Sequence, residues 1–227
     1  MKDLPYFYPP KLSLVSTIAD IRKEYKLQTL SEDDILKDPF AQFGKWWQEA
    51  MNAGIEEPNA MTLATATADG MPDARIVLLK GFDERGFTFY TNYNSTKGMQ
   101  LLENPRGALV FFWKELERQV RIGGLINLAP ARISDEYFDS RPEGSRIGAW
   151  ASPQSEPISS REWLEDNERR YRELWQGKMI VRPPHWGGYV LKPVRIEFWQ
   201  GRPSRLHDRF LFTLQSSGPW KIERLAP

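Results

Sequence analysis

AMTLATATADGMPDARIVLLKGFDERGFTFYTN, residues 60–92, decides the fold class of this chain. Three runs inside it, AMTLATAT, ARIVLLKGF and GFTFYTN, are short and rich in β-branched or aromatic residues. Asp69-Gly70 and Glu84-Arg85-Gly86 separate them, and both are turn sequences. Strand-like runs joined by such turns predict consecutive antiparallel hairpins. The signature returns downstream as ALVFFW (108–113) with ERQVRIGGLINL (117–128), then GGYVLKPVRIEFW (187–199), RFLFTLQ (209–215) and WKIERL (220–225). Together these give seven or eight mainly antiparallel strands, and closing them into a barrel removes exposed edges.

Helical signals lie between and before the strands. Thr17 with Asp20 three residues on predicts a capped helix through Tyr25. Asp38-Pro39 is an N-cap followed by proline at the first helical position. The helix it opens carries Phe40, Phe43, Trp46, Trp47, Ala50 and Met51 as a core-facing stripe and stops at Gly54. A short helix over 95–104 ends at Pro105. Pro130 opens another that runs to about Arg141, because Pro142 disfavours helix at the residue before it. Ser159 with Glu162 caps a charged helix to about Gln176.

Composition narrows the chemistry. The 227 residues are 41% hydrophobic and 27% charged, enough for one large domain. Residues 1–15 read as an arm and 16–227 as a single domain with helical insertions. The formal net charge of +1 provides no global field for nucleic acid or an anionic membrane, so any anion site must be a local cluster of cations. There is no cysteine, which excludes disulfides, thiolate nucleophiles and cysteine-ligated metal, and fits a reducing compartment. Two histidines, His185 and His207, argue against a histidine metal site, and none is expected. No run approaches the ~20 apolar residues of a membrane span. No GxGxxG turn or P-loop occurs, so a nucleotide-like cofactor would be held some other way.

Local cation clusters do exist. Read as a strand, Arg205-Leu206-His207-Asp208-Arg209 puts Arg205, His207 and Arg209 on one face over ~13 Å, with Leu206 turned into the core. That row suits an anionic, planar ligand, although a charge run alone is usually a solvated face. Glu197 and Trp199, also two apart, extend it. Arg75 and Lys80 sit five apart on a presumed strand, so they point to opposite faces with Cα atoms ~16 Å apart. They serve an extended ligand or two ligands, or simply cap the ends of a buried strand. Tyr137, Arg141 and Ser145 recur every four residues, and a phenol, a guanidinium and a hydroxyl converging on a turn form a phosphate cup. A helix end with a favourably placed arginine is the equal alternative. Thr91, Ser95 and Lys97 surround a strand-to-helix turn that offers a second anion site, or plain capping by Ser95. Gln119 and the pair Gln154-Ser155 carry groups able to meet a heterocycle edge.

Taken in order, RIVLLK (75–80), FYTN (89–92), ERQVR (117–121), YFDSRP (137–142), SRIGAWASPQS (145–155), EFWQG (197–201), RLHDR (205–209) and the terminal ERLAP closely resemble the pyridoxine/pyridoxamine 5′-phosphate oxidase family. The likeness runs from about residue 22 to the C-terminus. It implies an α+β, mainly β fold with flanking helices: an FMN-binding split β-barrel of antiparallel, Greek-key type. It implies a cytoplasmic homodimer with FMN at the subunit interface. The implied reaction oxidises pyridoxamine or pyridoxine 5′-phosphate to pyridoxal 5′-phosphate while O2 becomes H2O2. Carried over by motif, Arg75, Ile76, Val77, Leu78, Leu79, Lys80, Tyr90, Thr91, Thr96, Lys97, Gln119, Gln154, Ser155, Trp199 and Arg209 would bind FMN. Lys80, Tyr137, Arg141 and Ser145 would hold the substrate phosphate. Arg205 and His207 would contact the substrate ring as catalytic residues, and Arg22 and Tyr25 would close over it. The family usually has Ser-Arg-Lys where this chain has Ser95-Thr96-Lys97, so Thr96 removes one guanidinium from the implied FMN phosphate site. Related readings are a split-barrel flavin reductase and a non-catalytic FMN or pyridoxal phosphate carrier.

Overall fold

The computed structural model describes residues 18–227. The proposed arm over 1–15 and the capping residue Thr17 lie outside the described residues. The helix expected through Tyr25 is a single 3-10 turn, Ile18–Asp20, followed by irregular chain.

Asp38 caps α1 (Pro39–Asn52), its carboxylate accepting from the Ala41 N–H at 2.8 Å. The first hairpin forms as predicted: β1 (Ala60–Ala66) pairs with β2 (Pro72–Leu78) across the Asp69-Gly70 turn. The second differs. ARIVLLKGF is not one strand, because regular pairing with β1 stops at Leu78 and the Lys80 N–H donates instead to the Thr88 carbonyl at 2.8 Å. Gly81–Asp83 then forms a separate three-residue strand, β3, which pairs with β4 (Gly86–Asn92). Then come α2 (Thr96–Glu103), β5 (Arg106–Trp113), β6 (Arg118–Leu128), α3 (Ala131–Ser140), α4 (Glu143–Ala151) and α5 (Arg161–Trp175). The cap of α5 is Ser160 rather than Ser159, its hydroxyl accepting from Trp163 N–H at 3.1 Å. The chain closes with β7 (Trp186–Gln200), β8 (Asp208–Leu214) and β9 (Trp220–Arg224).

All nine strands belong to one antiparallel sheet, in the order β2-β1-β5-β6-β7-β4-β3, with β8 and β9 branching from β7. The branch explains how the barrel splits. β7 pairs with β6 along almost its whole length. Its other edge takes β4 over 186–191 and β8 over 195–200. Between the two halves lies Pro193, which cannot donate to a ladder, and a bulge opposite Gly123 and Gly124. A Cβ on Gly124 would stand 2.1 Å from the Lys192 carbonyl oxygen, so only glycine permits this approach. The fold is the expected antiparallel split barrel.

Two cores result. The barrel core gathers Phe87, Phe89, Phe111, Val120, Phe198 and Phe212 beneath Phe43 and Trp46 of α1, all at most 1% exposed. Phe43 meets Phe82, Phe87 and Phe111 with ring centroids 4.7–5.3 Å apart. A smaller core of Phe138, Ile147, Ile180 and Trp186 fastens α3, α4 and α5 to the start of β7. The seam between these cores holds the site.

Candidate active site

A cavity of about 670 Å³ opens where β2 and β4 face α2, α3 and α4. That is the size of a cofactor or substrate pocket. Twelve of the residues singled out in the sequence line it: Arg75, Ile76, Val77, Leu78, Lys80, Tyr90, Thr91, Lys97, Tyr137, Arg141, Ser145 and Gln154. Arg75 and Lys80 therefore share one cavity, contrary to the opposite-face reading. Lys80 lies beyond the end of β2, where strand alternation no longer governs its direction.

Two cation groups stand in this cavity. In the first, Arg75 donates to the Leu63 carbonyl at 3.1 Å and Thr65 Oγ1 at 2.6 Å, and pairs with Asp73. Lys97 is 9% exposed and donates to Ser95 Oγ at 3.4 Å. Burial, reinforced by Arg75, holds the Lys97 ammonium below the ordinary lysine pKa. In the second group, the Arg141 guanidinium lies 4.5 Å from the centroid of Trp186. Trp186 continues a stack with Tyr90 and Tyr137, whose rings are 4.0 Å apart. Burial lowers the Arg141 pKa, and its Nη1 is buried without a hydrogen-bond partner among the described residues. A buried cation with an unused donor is costly unless an anion meets it.

Local structure explains these placements. α3 ends at Ser140, Arg141 is extended with φ −75° and ψ 148°, and Pro142 caps α4. The break separates Tyr137 and Arg141 from a continuous helix face, yet Ser145 in the first turn of α4 still reaches the same cavity. Ser95 caps α2 and orients Lys97. Gln154 Oε1 accepts from the Thr91 hydroxyl at 3.1 Å.

Three carried-over residues face elsewhere. Leu79 is in the barrel core at 5% exposure, two residues on from Val77, which packs against the same core. Thr96 is exposed at the first position of α2 and does not line the cavity. Ser155 is exposed, in a left-handed conformation with φ 74°.

The remaining residues form a second group outside the cavity. Gln119, Trp199 and Arg209 are register partners on β6, β7 and β8, so their side chains share the face opposite Val120, Phe198 and Phe210. Arg209 Nε donates to Glu197 Oε1 at 2.8 Å, and Arg121 pairs with the same carboxylate at 3.0 Å. Tyr25 packs edge-on to Trp199 and 6.1 Å from His207. The strand expected over 205–209 begins only at Asp208. Pro203–Arg205 is a 3-10 turn in which Ser204 and Arg205 adopt φ of 55° and 63°. Leu206 is accordingly 69% exposed rather than in the core, and Arg205 is exposed. The Arg202 N–H donates to His207 Nδ1 at 3.0 Å, which leaves Nε2 to carry the ring proton. Burial, then Arg205 and Arg209, lower the His207 pKa and favour this neutral form. Arg22 is exposed.

Sequence reasoning missed Trp186 and Glu117. Trp186 precedes Gly187-Gly188, and paired strand glycines signal close approach; a Cβ on Gly187 would meet the Tyr93 hydroxyl at 2.0 Å. Glu117, only 2% exposed, accepts from the Lys26 and Leu27 N–H groups at 2.8 and 3.1 Å. Nothing local in the sequence marks that 90-residue connection.

Comparisons with known proteins show the family and the fold. Residues 47–174 match the family described as pyridoxamine 5′-phosphate oxidase. Residues 186–227 match the pyridoxine 5′-phosphate oxidase C-terminal dimerisation region. The pyridoxine/pyridoxamine 5′-phosphate oxidase of Cupriavidus necator is 56% identical over 94% of this chain and 100% of its own. That of Nostoc punctiforme is 57% identical over 93% and 99%. PhzG from Burkholderia lata, solved with tetrahydrophenazine-1-carboxylic acid, superposes with a TM-score of 0.84 at 30% identity, over 90% of this chain and 100% of that one. A related FMN-binding protein from Nostoc punctiforme shares the fold, with a TM-score of 0.66 at 20% identity over 85% of this chain and 100% of its own.

Proposed function

This chain belongs to the pyridoxine/pyridoxamine 5′-phosphate oxidase family and is an oxidoreductase, and we propose that it oxidises pyridoxamine and pyridoxine 5′-phosphates to pyridoxal 5′-phosphate with FMN and O2, releasing H2O2 and, from the amine after water adds, ammonia. The observation that carries this reading is that four cations line one cavity, Arg75, Lys80, Lys97 and Arg141, with Arg75 close to Lys97 and Arg141 apart from them on Trp186. Two phosphates, one on the cofactor and one on the substrate, require two groups of cations. The buried, unpartnered Arg141 Nη1 and the lowered Lys97 pKa fit anionic ligands.

FMN, when bound, would supply the redox chemistry, a two-electron oxidation at the substrate carbon bearing the amine or alcohol with O2 as final acceptor. Arg75, Lys97, Thr91 and Gln154 would hold it from the cavity side, with the 76–78 segment as backing. Lys80, Tyr137, Arg141 and Ser145 would grip the substrate phosphate and fix the distance of the reacting carbon. Gln119, Trp199 and Arg209, outside the cavity, would complete the FMN site from a second copy of the chain. Arg205 and His207 would reach the substrate ring from that same copy. The match of 186–227 to a dimerisation region supports this arrangement. Arg205 would orient the ring and stabilise negative charge developing on it. His207, neutral with its proton on Nε2, would donate a hydrogen bond to a ring substituent. Tyr25 and Arg22 would cover the site, which excludes water. Roles for Leu79, Thr96 and Ser155 would be limited to their backbone groups, since these side chains face the core or solvent.

The test is to load the purified protein with FMN, record its visible spectrum, and add pyridoxine 5′-phosphate in air. Formation of pyridoxal 5′-phosphate with matching H2O2 is expected. A protein that binds FMN and consumes no substrate is a carrier; one that instead oxidises NADH is a flavin reductase.

A further inference from the structure

Behind α4 lies a second cavity, of about 630 Å³, enclosed by α4, α5 and the 176–180 segment. α4 is a shared wall: Ser145 and Gly148 face the first cavity, Arg146 and Ile147 the second. The second cavity has two buried N–H donors without a partner among the described residues, Arg146 Nε and Trp175 Nε1. Such orphaned donors are uncommon in folded proteins, and each costs free energy unless something accepts from it. Four cations and two carboxylates line the space, so its field favours an anion. Two of those cations are already engaged: Arg172 pairs with Glu168 at 2.6 Å, and Arg169 with Asp166 at 2.8 Å. Arg146 enters no ion pair among the described residues. The inner wall is apolar, with Ile147 at 1% and Ile180 at 5% exposure, and the Trp175 ring beside Trp150.

We propose that this cavity is a second ligand site, taking a small oxyanion with an apolar body, such as a carboxylate or phosphate monoester on a ring. The oxyanion would accept from Arg146 Nε and Trp175 Nε1, with the remaining charge supplied by Lys178, while the ring lies on Ile147, Ile180 and Trp175. This site is independent of the substrate phosphate group at Arg141, which opens on the opposite side of α4.

The test uses the full FMN-loaded chain with 15N-labelled tryptophan. The Trp175 indole N–H resonance is identified by its loss in Trp175→Phe. Titration with phenyl phosphate is expected to move it downfield, and sodium chloride at matched ionic strength is not. Arg146→Gln should weaken that titration about tenfold or more, as loss of a charge-assisted hydrogen bond does. Arg141→Gln should leave it unchanged. An unmoved Trp175 resonance in wild-type protein overturns the site, whatever the variants do. A titration that survives Arg146→Gln, or that disappears in Arg141→Gln, overturns it equally.

Discussion

Tyr25 stands edge-on to Trp199, ring centroids 5.8 Å apart and planes at 89°. A residue of an irregular segment is thereby fixed to the middle of the sheet. What fixes it is Glu117, itself in a left-handed conformation with φ 54°. It accepts from two backbone N–H groups of the segment and from Lys23 Nζ at 3.3 Å. These contacts outweigh burial and lower the Glu117 pKa from its ordinary 4.5. A depressed carboxylate contributes stability above its unfolded pKa and loses it as pH falls through the folded value. The segment should therefore stay latched at neutral pH and release only in acid, below about pH 4.5. Glu117→Ala should release it at neutral pH. Trypsin cleavage at Lys23 and Lys26 would then accelerate and the substrate KM rise, with FMN affinity unchanged. Unaltered cleavage would show that Glu117 does not hold the segment.

Arg141→Gln should raise the KM for pyridoxine 5′-phosphate about 10- to 100-fold, the worth of one or two charge-assisted hydrogen bonds. The turnover number should change less, because the lost contact is made to the phosphate in both ground and transition states. Inorganic phosphate should raise the melting temperature of the wild type more than that of the variant. Equal shifts would remove Arg141 from the anion site.

Lys97 is caught between stability and binding. Its folded pKa lies below the unfolded one, so the unfolded chain binds more protons there, and stability from this group rises with pH. Lys97→Met should raise the melting temperature of the cofactor-free protein while weakening FMN about tenfold or more. FMN affinity of the wild type should fall in alkali at a lower pH than an ordinary lysine would give. A variant both less stable and equally tight would contradict this account.

Much of this was legible in the sequence and some was not, for identifiable reasons. Asp38-Pro39, Asp69-Gly70 and Ser95 signal local events, and each behaves as its chemistry predicts. Alternation failed at Lys80, beyond the end of β2, and at 205–207, where the chain turns and β8 starts only at Asp208. Those failures matter most at the site: one lets Lys80 line the same cavity as Arg75, the other turns Arg205 and Leu206 to solvent. The Tyr137–Arg141–Ser145 spacing reached the right cavity across the helix break that Pro142 signals. Contacts far apart in sequence, such as Glu117 with Leu27 or Arg141 with Trp186, leave no local trace.

His207 should stay neutral through the physiological range. Burial and two arginines lower its pKa from 6.5, so an acid limb of kcat/KM that arises from His207 should fall below pH 6.5. His207→Asn should abolish that limb and keep FMN bound. A limb centred above pH 6.5, or one unchanged in the variant, would assign the titration to another group.

The most direct test of a site shared between two copies of the chain is complementation. Arg141→Gln, assayed with substrate well below its raised KM, and Arg205→Leu should each cut oxidase activity sharply while still binding FMN. Co-expressed at equal levels, they should form heterodimers in which one site receives both intact residues. Random pairing in a two-fold dimer then restores about a quarter of wild-type activity. A mixture of dimeric, FMN-loaded variants no more active than either alone would contradict the account.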